Sequence, residues 1–266
     1  MGHAAPVIAA QGRLCSPNWK PSVLPKRLGC IRSTPKMRQL ACRAALATEQ
    51  KQLKEQLFRA IEEGGQALRT GKVTPQVEDL ISQIKQAASK AQPRLQDMSI
   101  DGRFNGLLNT TNYLDDDACS TLGTITFQQF APKDLKVQLS GTDVVTGIDS
   151  PHQYQTNAYF KVLGGEAQGL LGIQSALGKY ELDAEKADRQ IVWFEAIRIA
   201  PADKDPAALK QWLAVFQEAN PSMGQDGVAQ INFPNSAKGF RDFILVDEEV
   251  QVTVGNRGSV VVIRKK

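Results

Sequence analysis

The stretch "VDEEVQVTVGNRGSVVVIRKK" (Val246 to Lys266) indicates most clearly how this chain folds. Val250, Val252 and Val254 alternate with polar residues, and alternation with a period of two is typical of a β-strand. A short loop with two glycines follows, and "SVVVI" then begins a second strand. A phosphate-binding loop would instead lead from a strand into a helix. The sequence therefore predicts a terminal β-hairpin, with no ligand assigned to Arg257 in its loop.

Short strand-like segments continue throughout the region from Ile100 onward. In "DLKVQLSG", Leu135, Val137 and Leu139 share one face of a predicted strand. Further strands are expected in "GTITFQQF" (123–130), "TNAYFKVLGG" (156–165) and "LLGIQSALGKYELD" (170–183), which glycines separate. A series of short strands of this kind favours an antiparallel barrel or a sandwich.

The segment "RQIVWFEAIRIAP" (189–201) is apolar on both faces, as expected of a strand that is buried on each side. Strict alternation places Trp193, Glu195 and Ile197 on one face. If that face is the core, Glu195 points into the barrel and needs a partner or a raised pKa. If the opposite face is the core, Glu195 lies at the surface. The residues predicted to line a barrel interior are Phe160, Val162, Tyr180, Trp193, Glu195 and Ile197.

Three amphipathic helices accompany the predicted strands. The first is expected in "TEQKQLKEQLFRAIEEGGQALRTG" (48–71), and the second begins with Thr74 as N-cap and Pro75 at its first position. The two helices are expected to pair and to pack on the barrel or plug it. The third, in "DPAALKQWLAVFQEANP" (205–221), begins after Asp205 and is expected to pack on the sheet or to cap a barrel mouth.

The N-terminal segment differs in composition from the rest of the chain. Residues 1–48 contain eight of the 32 basic residues and none of the 28 acidic residues, so the remainder carries a net charge of about −4. The same segment holds five of the 13 prolines and three of the four cysteines, without sustained periodicity. Such a composition predicts a plastid transit peptide over residues 1–46. Because the basic excess belongs to this segment, we expect no binding to nucleic acid.

No motif in the sequence assembles a catalytic or metal site. His152 lies in "GIDSPHQYQ" without the convergent partners that a nucleophilic triad requires, and the aspartates of "LDDDACS" (114–120) have the pattern of a solvated turn. "GGEAQG" (164–169) lacks the strand–helix context of a dinucleotide-binding loop. We therefore predict no catalytic residues, no metal ligands, no cofactor and no enzymatic activity.

Four segments, in their running order, resemble the plastid lipid-associated proteins, which are also called fibrillins or plastoglobulins. They are "SIDGRFNGLLNTTNYL" (99–114), "HQYQTNAYFKV" (152–162), "LGKYELDAEKADRQIVWFEAIRIAP" (177–201) and "LVDEEVQVTVGNRGSVVVIRK" (245–265). The resemblance covers roughly residues 50 to 265 and is most specific in the last segment. The chain departs from the family pattern at Phe104, where tryptophan is usual, and at Val246, where tyrosine is usual.

The resemblance implies a mainly β (α+β) protein with a lipocalin-like antiparallel barrel. Residues 47–98 would form the helical segment and residues 99–266 the barrel domain. The family resemblance further implies a non-catalytic protein that binds an apolar lipid, carotenoid or prenylquinone. It would lie in the chloroplast, on the stromal side, as a peripheral protein of thylakoids or plastoglobules.

Two other hypotheses remain open. The protein could be a structural coat or scaffold of plastid lipid bodies whose barrel is filled by its own side chains. It could also convert a lipid with the help of Glu195 or His152.

Overall fold

The computed structural model describes residues 48–64, 73–91, 95–98, 100–110, 114 and 117–266. These residues belong to one compact unit, Ala41–Lys266. The predicted transit peptide, residues 1–46, lies outside the described residues and stays a prediction.

The described chain consists of nine strands, four α-helices and two short 3-10 turns. The helices are α1 (48–64), α2 (Pro75–Ala91), α3 (Leu122–Ile125) and α4 (Pro206–Phe216), and the 3-10 turns are Leu95–Asp97 and Gly165–Ala167. The strands are β1 (Gly102–Asn109), β2 (Cys119–Thr121), β3 (Lys136–Thr146), β4 (Gln153–Val162), β5 (Leu171–Leu182), β6 (Arg189–Pro201), β7 (Ala229–Val246), β8 (Val250–Gly255) and β9 (Val260–Lys265). None of the helices in the described part of the chain is long and apolar enough to cross a membrane.

Eight of the strands close into an antiparallel barrel. Neighbours follow the order β1-β9-β8-β7-β6-β5-β4-β3, and β3 then pairs back to β1 from Gly102↔Thr146 to Asn105↔Asp143. Strand β2 is an addition that pairs with the beginning of β3. Closure removes the free sheet edges that an open sheet would leave. The prediction of a mainly β, lipocalin-like barrel with accompanying helices is confirmed.

The C-terminal hairpin that the sequence predicted is formed by β8 and β9. Val254 pairs with Val260, and Gly258 turns the loop with a φ of +78°, a conformation that glycine adopts without strain. The Gly255 N–H donates to the Ser259 carbonyl over 2.8 Å. The glycine pair therefore reverses the chain, as expected, and joins two strands of the barrel wall.

Helices α1 and α2 pack on the outside of the barrel. Thr74 caps α2 as predicted, since its hydroxyl accepts the Val77 N–H over 3.4 Å. The apolar stripes of both helices contact the outward side chains of β1, β7, β8 and β9. The buried strand residues in this contact are Leu108, Ile244, Leu245, Val250, Val252, Val260 and Val262. The helices therefore cover the outer face of the barrel wall and do not plug its interior.

Charged side chains fasten α1 to the strands beneath it. Lys54 Nζ lies 2.7 Å from Asp247 Oδ2 and 3.3 Å from Glu249 Oε2. Arg264 of β9 bonds Glu249, and its guanidinium carbon lies 5.2 Å from the centre of the Phe58 ring. These contacts fix where along the barrel the helix sits.

Aromatic residues of α4 close one end of the barrel. Asp205 accepts the N–H groups of Ala207 and Ala208 and so begins the helix where the sequence predicted. Trp212 is fully buried, its ring centre lies 4.3 Å from that of Phe216, and its indole N–H donates to the Gly227 carbonyl over 2.8 Å. The helix therefore caps a barrel mouth, and Leu95 with Ile100 closes the opposite end.

The segment "GTITFQQF" does not form the strand that its alternation suggested. The Thr121 hydroxyl accepts the Thr124 N–H over 3.2 Å, which caps the short helix α3. Phe127 and Gln128 then take positive φ values, and the chain turns. The strand prediction was wrong here because a local side-chain cap competes with the extended conformation that threonines otherwise favour.

Candidate functional site

The barrel interior contains four of the residues that the sequence assigned to it. Phe160 pairs with Leu139 and Gly172 across two neighbouring strand pairs, and all three point inward. The side chains of Val162, Tyr180 and Ile197 are also buried on the inner face. These four side chains lie on the inner face, and their role in binding a ligand stays a prediction.

A β-bulge at Glu195 divides β6 into two segments with opposite alternation. Leu177 of β5 pairs with Ala196, and the next residue, Gly178, pairs with Phe194, so Glu195 has no partner in this ladder. One extra residue in a strand reverses which side chains face inward beyond it. Before the bulge, Val192 and Phe194 face the interior, and after it Ile197 and Ile199 do.

The prediction that Trp193 and Glu195 face the interior was therefore wrong. Glu195 lies on the outer surface, where its carboxylate is 2.7 Å from Lys179 Nζ. Trp193 also faces outward, with Lys238 Nζ 5.5 Å from its ring centre. The structure therefore agrees with the alternative in which Glu195 lies at the surface. Because of the bulge, neither face of β6 points into the core along the whole strand.

Several small residues lie on the inner face of the barrel between two end clusters of large side chains. One end holds Phe160, Ile197, Ile199, Trp212 and Phe216, and the other holds Phe104, Tyr154, Tyr180, Phe243 and Ile263. Between them, the strand registers place these side chains on the inner face: Thr142, Thr156, Ala158, Ala176, Gly178 and Thr253. Larger inward side chains, among them Gln174, Val144 and Phe194, pair with these small residues in the same ladders.

Several inward residues of the middle level remain accessible to water. Thr156, Gly178 and Phe194 are partly exposed although their registers direct them inward. Ala237, which pairs with the inward Phe194, is exposed. Opposite the Glu195 bulge, the four residues 233–236 leave the ladder between β6 and β7. The middle level is therefore less tightly packed than the two ends, and the ladder between β6 and β7 is interrupted beside it.

A buried arginine lies among the inward residues near one end of the barrel. Arg241 Nε donates to Gln190 Oε1 over 2.9 Å, and Nη2 donates to the same oxygen over 2.5 Å. The guanidinium carbon lies 5.0 Å from the centre of the Tyr154 ring and 5.1 Å from that of Phe243. Among the residues that the structure describes, no carboxylate lies within 4.0 Å of this guanidinium.

Three polar atoms in this region are buried without a hydrogen-bond partner: Arg241 Nη1, Gln190 Nε2 and Gln251 Oε1. All three residues face inward, since Gln190 pairs with Arg241, and Gln251 with Val246 and Ile263. Buried polar atoms normally have partners, so these atoms identify a polar site inside an otherwise apolar wall. Sequence reasoning missed this site. The signal was available in "FRDF" (240–243), where an arginine occupies the same strand face as Phe243.

A cluster of polar residues on the outer face of β3 and β4 is paired internally. Asp143 Oδ1 accepts from Asn157 over 2.5 Å, and Oδ2 accepts from the Tyr159 hydroxyl over 2.8 Å and from Lys266 Nζ over 3.0 Å. Burial, followed by the contact with Asp143, raises the pKa of Tyr159 to about 12. This network joins β3, β4 and the C-terminus, so we regard it as structural.

The remaining candidate groups do not converge on one site. His152 lies in the exposed turn before β4, as the sequence predicted, with its ring centre 5.5 Å from that of Tyr180. Burial and the hydrogen bond to Asp101 raise the pKa of Tyr180. An open outer groove of about 380 Å³ is lined in part by Arg189, Lys238 and Asn256. No metal-binding group of histidine, cysteine or carboxylate side chains occurs within the described ranges.

Comparison of the chain with protein-family models and with curated proteins finds no match. Function is therefore argued from the barrel itself.

Proposed function

We propose that this protein is a fibrillin-like, non-catalytic lipid-binding protein of plastids. Its barrel interior would hold an apolar lipid, a carotenoid or a prenylquinone. The protein would act at the surface of thylakoids or plastoglobules on the stromal side. The observation that carries this proposal is the accessible middle level of the barrel, where small inward residues lie between two closed ends.

The packing of the interior favours a container over a filled scaffold. In a barrel filled by its own side chains, the inward residues interlock and exclude water. Here Thr156, Gly178 and Phe194, whose registers direct them inward, are only half-buried. The residues around them are mostly apolar, and an apolar molecule that enters such a space gains about 25 cal/mol for each Å² of buried apolar surface. The filled scaffold remains the second candidate function.

A pair of tryptophan substitutions on adjacent residues tests the container. Thr156→Trp places a large ring in the middle of the barrel, whereas Gln155→Trp places the same ring on the outer face, since Gln155 pairs with Leu177 on that side. The probes are a prenylquinone and a carotenoid, titrated by quenching of tryptophan fluorescence. We expect Thr156→Trp to weaken binding at least about tenfold, or 1.4 kcal/mol, and Gln155→Trp to leave it unchanged.

Lipid extraction from the purified wild-type protein provides an independent measurement. The container predicts a stoichiometric apolar lipid in the extract, identified by mass spectrometry. If neither probe binds and the extract holds no lipid, the container is refuted. Equal effects of the two tryptophan variants would place binding outside the barrel and favour the scaffold.

A further inference from the structure

Arg241 differs from Asp143 and Arg189 because, among the described residues, it has no oppositely charged partner within 4.0 Å. The buried carboxylate of Asp143 has Lys266 at 3.0 Å, and the half-buried Arg189 has Asp242 at 2.6 Å. Arg241 is only 7% exposed, yet its hydrogen bonds go to the neutral amide of Gln190. A buried charge without an opposite charge is costly, by several kcal/mol in proteins. A bound anion would supply the missing counter-ion and offset the cost of burying this guanidinium.

Two of the three unpartnered polar atoms near Arg241 are donors, as an anion site requires, and the third is the acceptor Gln251 Oε1. Arg241 Nη1 and Gln190 Nε2 are both donors, both buried and both without a partner. They belong to side chains that are already bonded to each other through Gln190 Oε1. A guanidinium presents its N–H groups in a planar fork that matches the two oxygens of a carboxylate.

We propose that the barrel ligand is a long-chain monoanionic lipid whose carboxylate binds Arg241 and Gln190. This inference rests on the proposed function, because it names the class of ligand that the interior holds. The site offers one positive charge and one neutral amide, which balance a single negative charge. A phosphate monoester would bring a second charge without a partner, and a quinone carbonyl would accept a hydrogen bond without neutralising the arginine.

Two aromatic rings connect the arginine to the accessible part of the interior. The Tyr154 ring lies against the Arg241 guanidinium, and the Phe194 ring meets Tyr154 edge-on with ring centres 5.8 Å apart. Phe194 is partly exposed at the middle level. The carboxylate therefore reaches Nη1 when these two rings rotate aside. The hydrocarbon chain then extends past Phe194 towards the interrupted part of the ladder between β6 and β7 near Ala237.

Binding measurements with oleate, methyl oleate and a prenylquinone test the proposal at pH 8. The acid and its methyl ester share one chain and differ in the charge of the head. We expect oleate to bind at least about tenfold more tightly than methyl oleate to the wild-type protein. Arg241→Met should bring oleate down to the affinity of the ester and leave the ester unchanged.

Arg198→Met is the matched control. Arg198 lies on the outer face of β6, where it pairs with Ser175 and Gln230, and its Nε is also buried without a partner. The preference for oleate should survive in this variant. If Arg198→Met abolishes the preference as fully as Arg241→Met does, the site is not the one proposed.

The outcomes separate this inference from the function on which it rests. If oleate and methyl oleate bind equally well, buried water satisfies the unused donors, the inference is overturned and the container remains. If no probe binds, the proposed function fails and the inference fails with it. If Arg241→Met does not fold, as judged by circular dichroism and gel filtration, a pH series on the wild type decides. The affinity for oleate relative to methyl oleate must fall as the fatty acid becomes protonated below about pH 5. If the ratio of the two affinities does not change with pH, the proposal is overturned.

Discussion

The contact between Lys54 and Asp247 should couple helix α1 to the barrel in a measurable way. Lys54 Nζ donates to Asp247 Oδ2, while Asp247 Oδ1 accepts the backbone N–H groups of Glu249 and Val250. Lys54→Met therefore removes the link to the helix and leaves the turn between β7 and β8 intact. A double-mutant cycle of Lys54→Met with Asp247→Asn isolates the energy of this one contact.

The size of the coupling follows from the exposure of the two side chains, which is 15% for Lys54 and 37% for Asp247. Exposed pairs contribute about 0.2–1 kcal/mol, and removal of one partner from a fully buried pair costs about 3–5 kcal/mol. For a pair between these limits but nearer the surface, we expect a coupling of about 1 kcal/mol. With a urea dependence of about 2 kcal/mol per molar, Lys54→Met should lower the unfolding midpoint by about 0.5 M.

The pKa shifts of Asp247 and Lys54 determine how the coupling energy changes with pH. Burial acts to raise the pKa of Asp247, but the hydrogen bonds from Lys54 and the turn outweigh it, and the pKa lies below 3.8. A carboxylate with a lowered pKa stabilises the folded state above its ordinary pKa, and this stabilisation is lost as the pH falls through the lowered value. For Lys54, burial acts to lower the pKa, but Asp247 and Glu249 raise it above 10.5. The coupling should therefore be constant from pH 5 to pH 9 and decline only below about pH 4.

Urea unfolding followed by circular dichroism measures all four proteins of the cycle. Lys51→Met on the exposed side of α1 is the matched control, and its midpoint should stay within about 0.1 M of the wild type. A coupling below about 0.2 kcal/mol at low salt, or one that already declines at pH 6, would refute the reasoning.

Three further results are expected. Leu57→Ala removes a fully buried side chain of α1 and should lower the free energy of unfolding by about 2–4 kcal/mol; a loss below about 1 kcal/mol in urea unfolding would contradict the outer packing of the helix. Gly172→Ala brings a Cβ to 2.3 Å from Phe160 Cζ and 2.7 Å from Trp212 Cη2, so we expect about 1–3 kcal/mol of destabilisation by overpacking, measured in the same way. Residues 1–46 fused to a fluorescent protein should direct it into chloroplasts under the microscope, and a cytosolic signal would exclude the transit peptide.

Elements defined by local periodicity were predictable from the sequence. The alternation of Leu135, Val137 and Leu139 begins one residue before β3 and continues into it, and the valines at either side of the glycine pair form β8 and β9. The helix caps at Thr74 and Asp205 were also predictable, because a capping residue interacts with backbone groups two or three positions away.

Features that depend on a neighbouring strand could not be read in the same way. The bulge at Glu195 exists only relative to the registers of β5 and β7, and alternation within β6 alone therefore placed Trp193 on the wrong face. Arg241 shares a strand face with Phe243 in the sequence, but its contact with Gln190 follows only from the pairing of β6 with β7. Closure of the barrel likewise requires contacts between residues far apart in the chain, which no local pattern encodes.

Barrel closure makes the folding of this protein dependent on its last residues. Strand β1 is held by β9, as in the pair Leu108↔Val262, and the surface that receives α1 and α2 includes Val250, Val252 and Val260. The helices come first in the chain, yet most of their docking surface comes last. Contacts of such high sequence separation form slowly and only after the whole chain is present. A chain still emerging from a ribosome therefore cannot complete this fold until strands β8 and β9 have been synthesised and released.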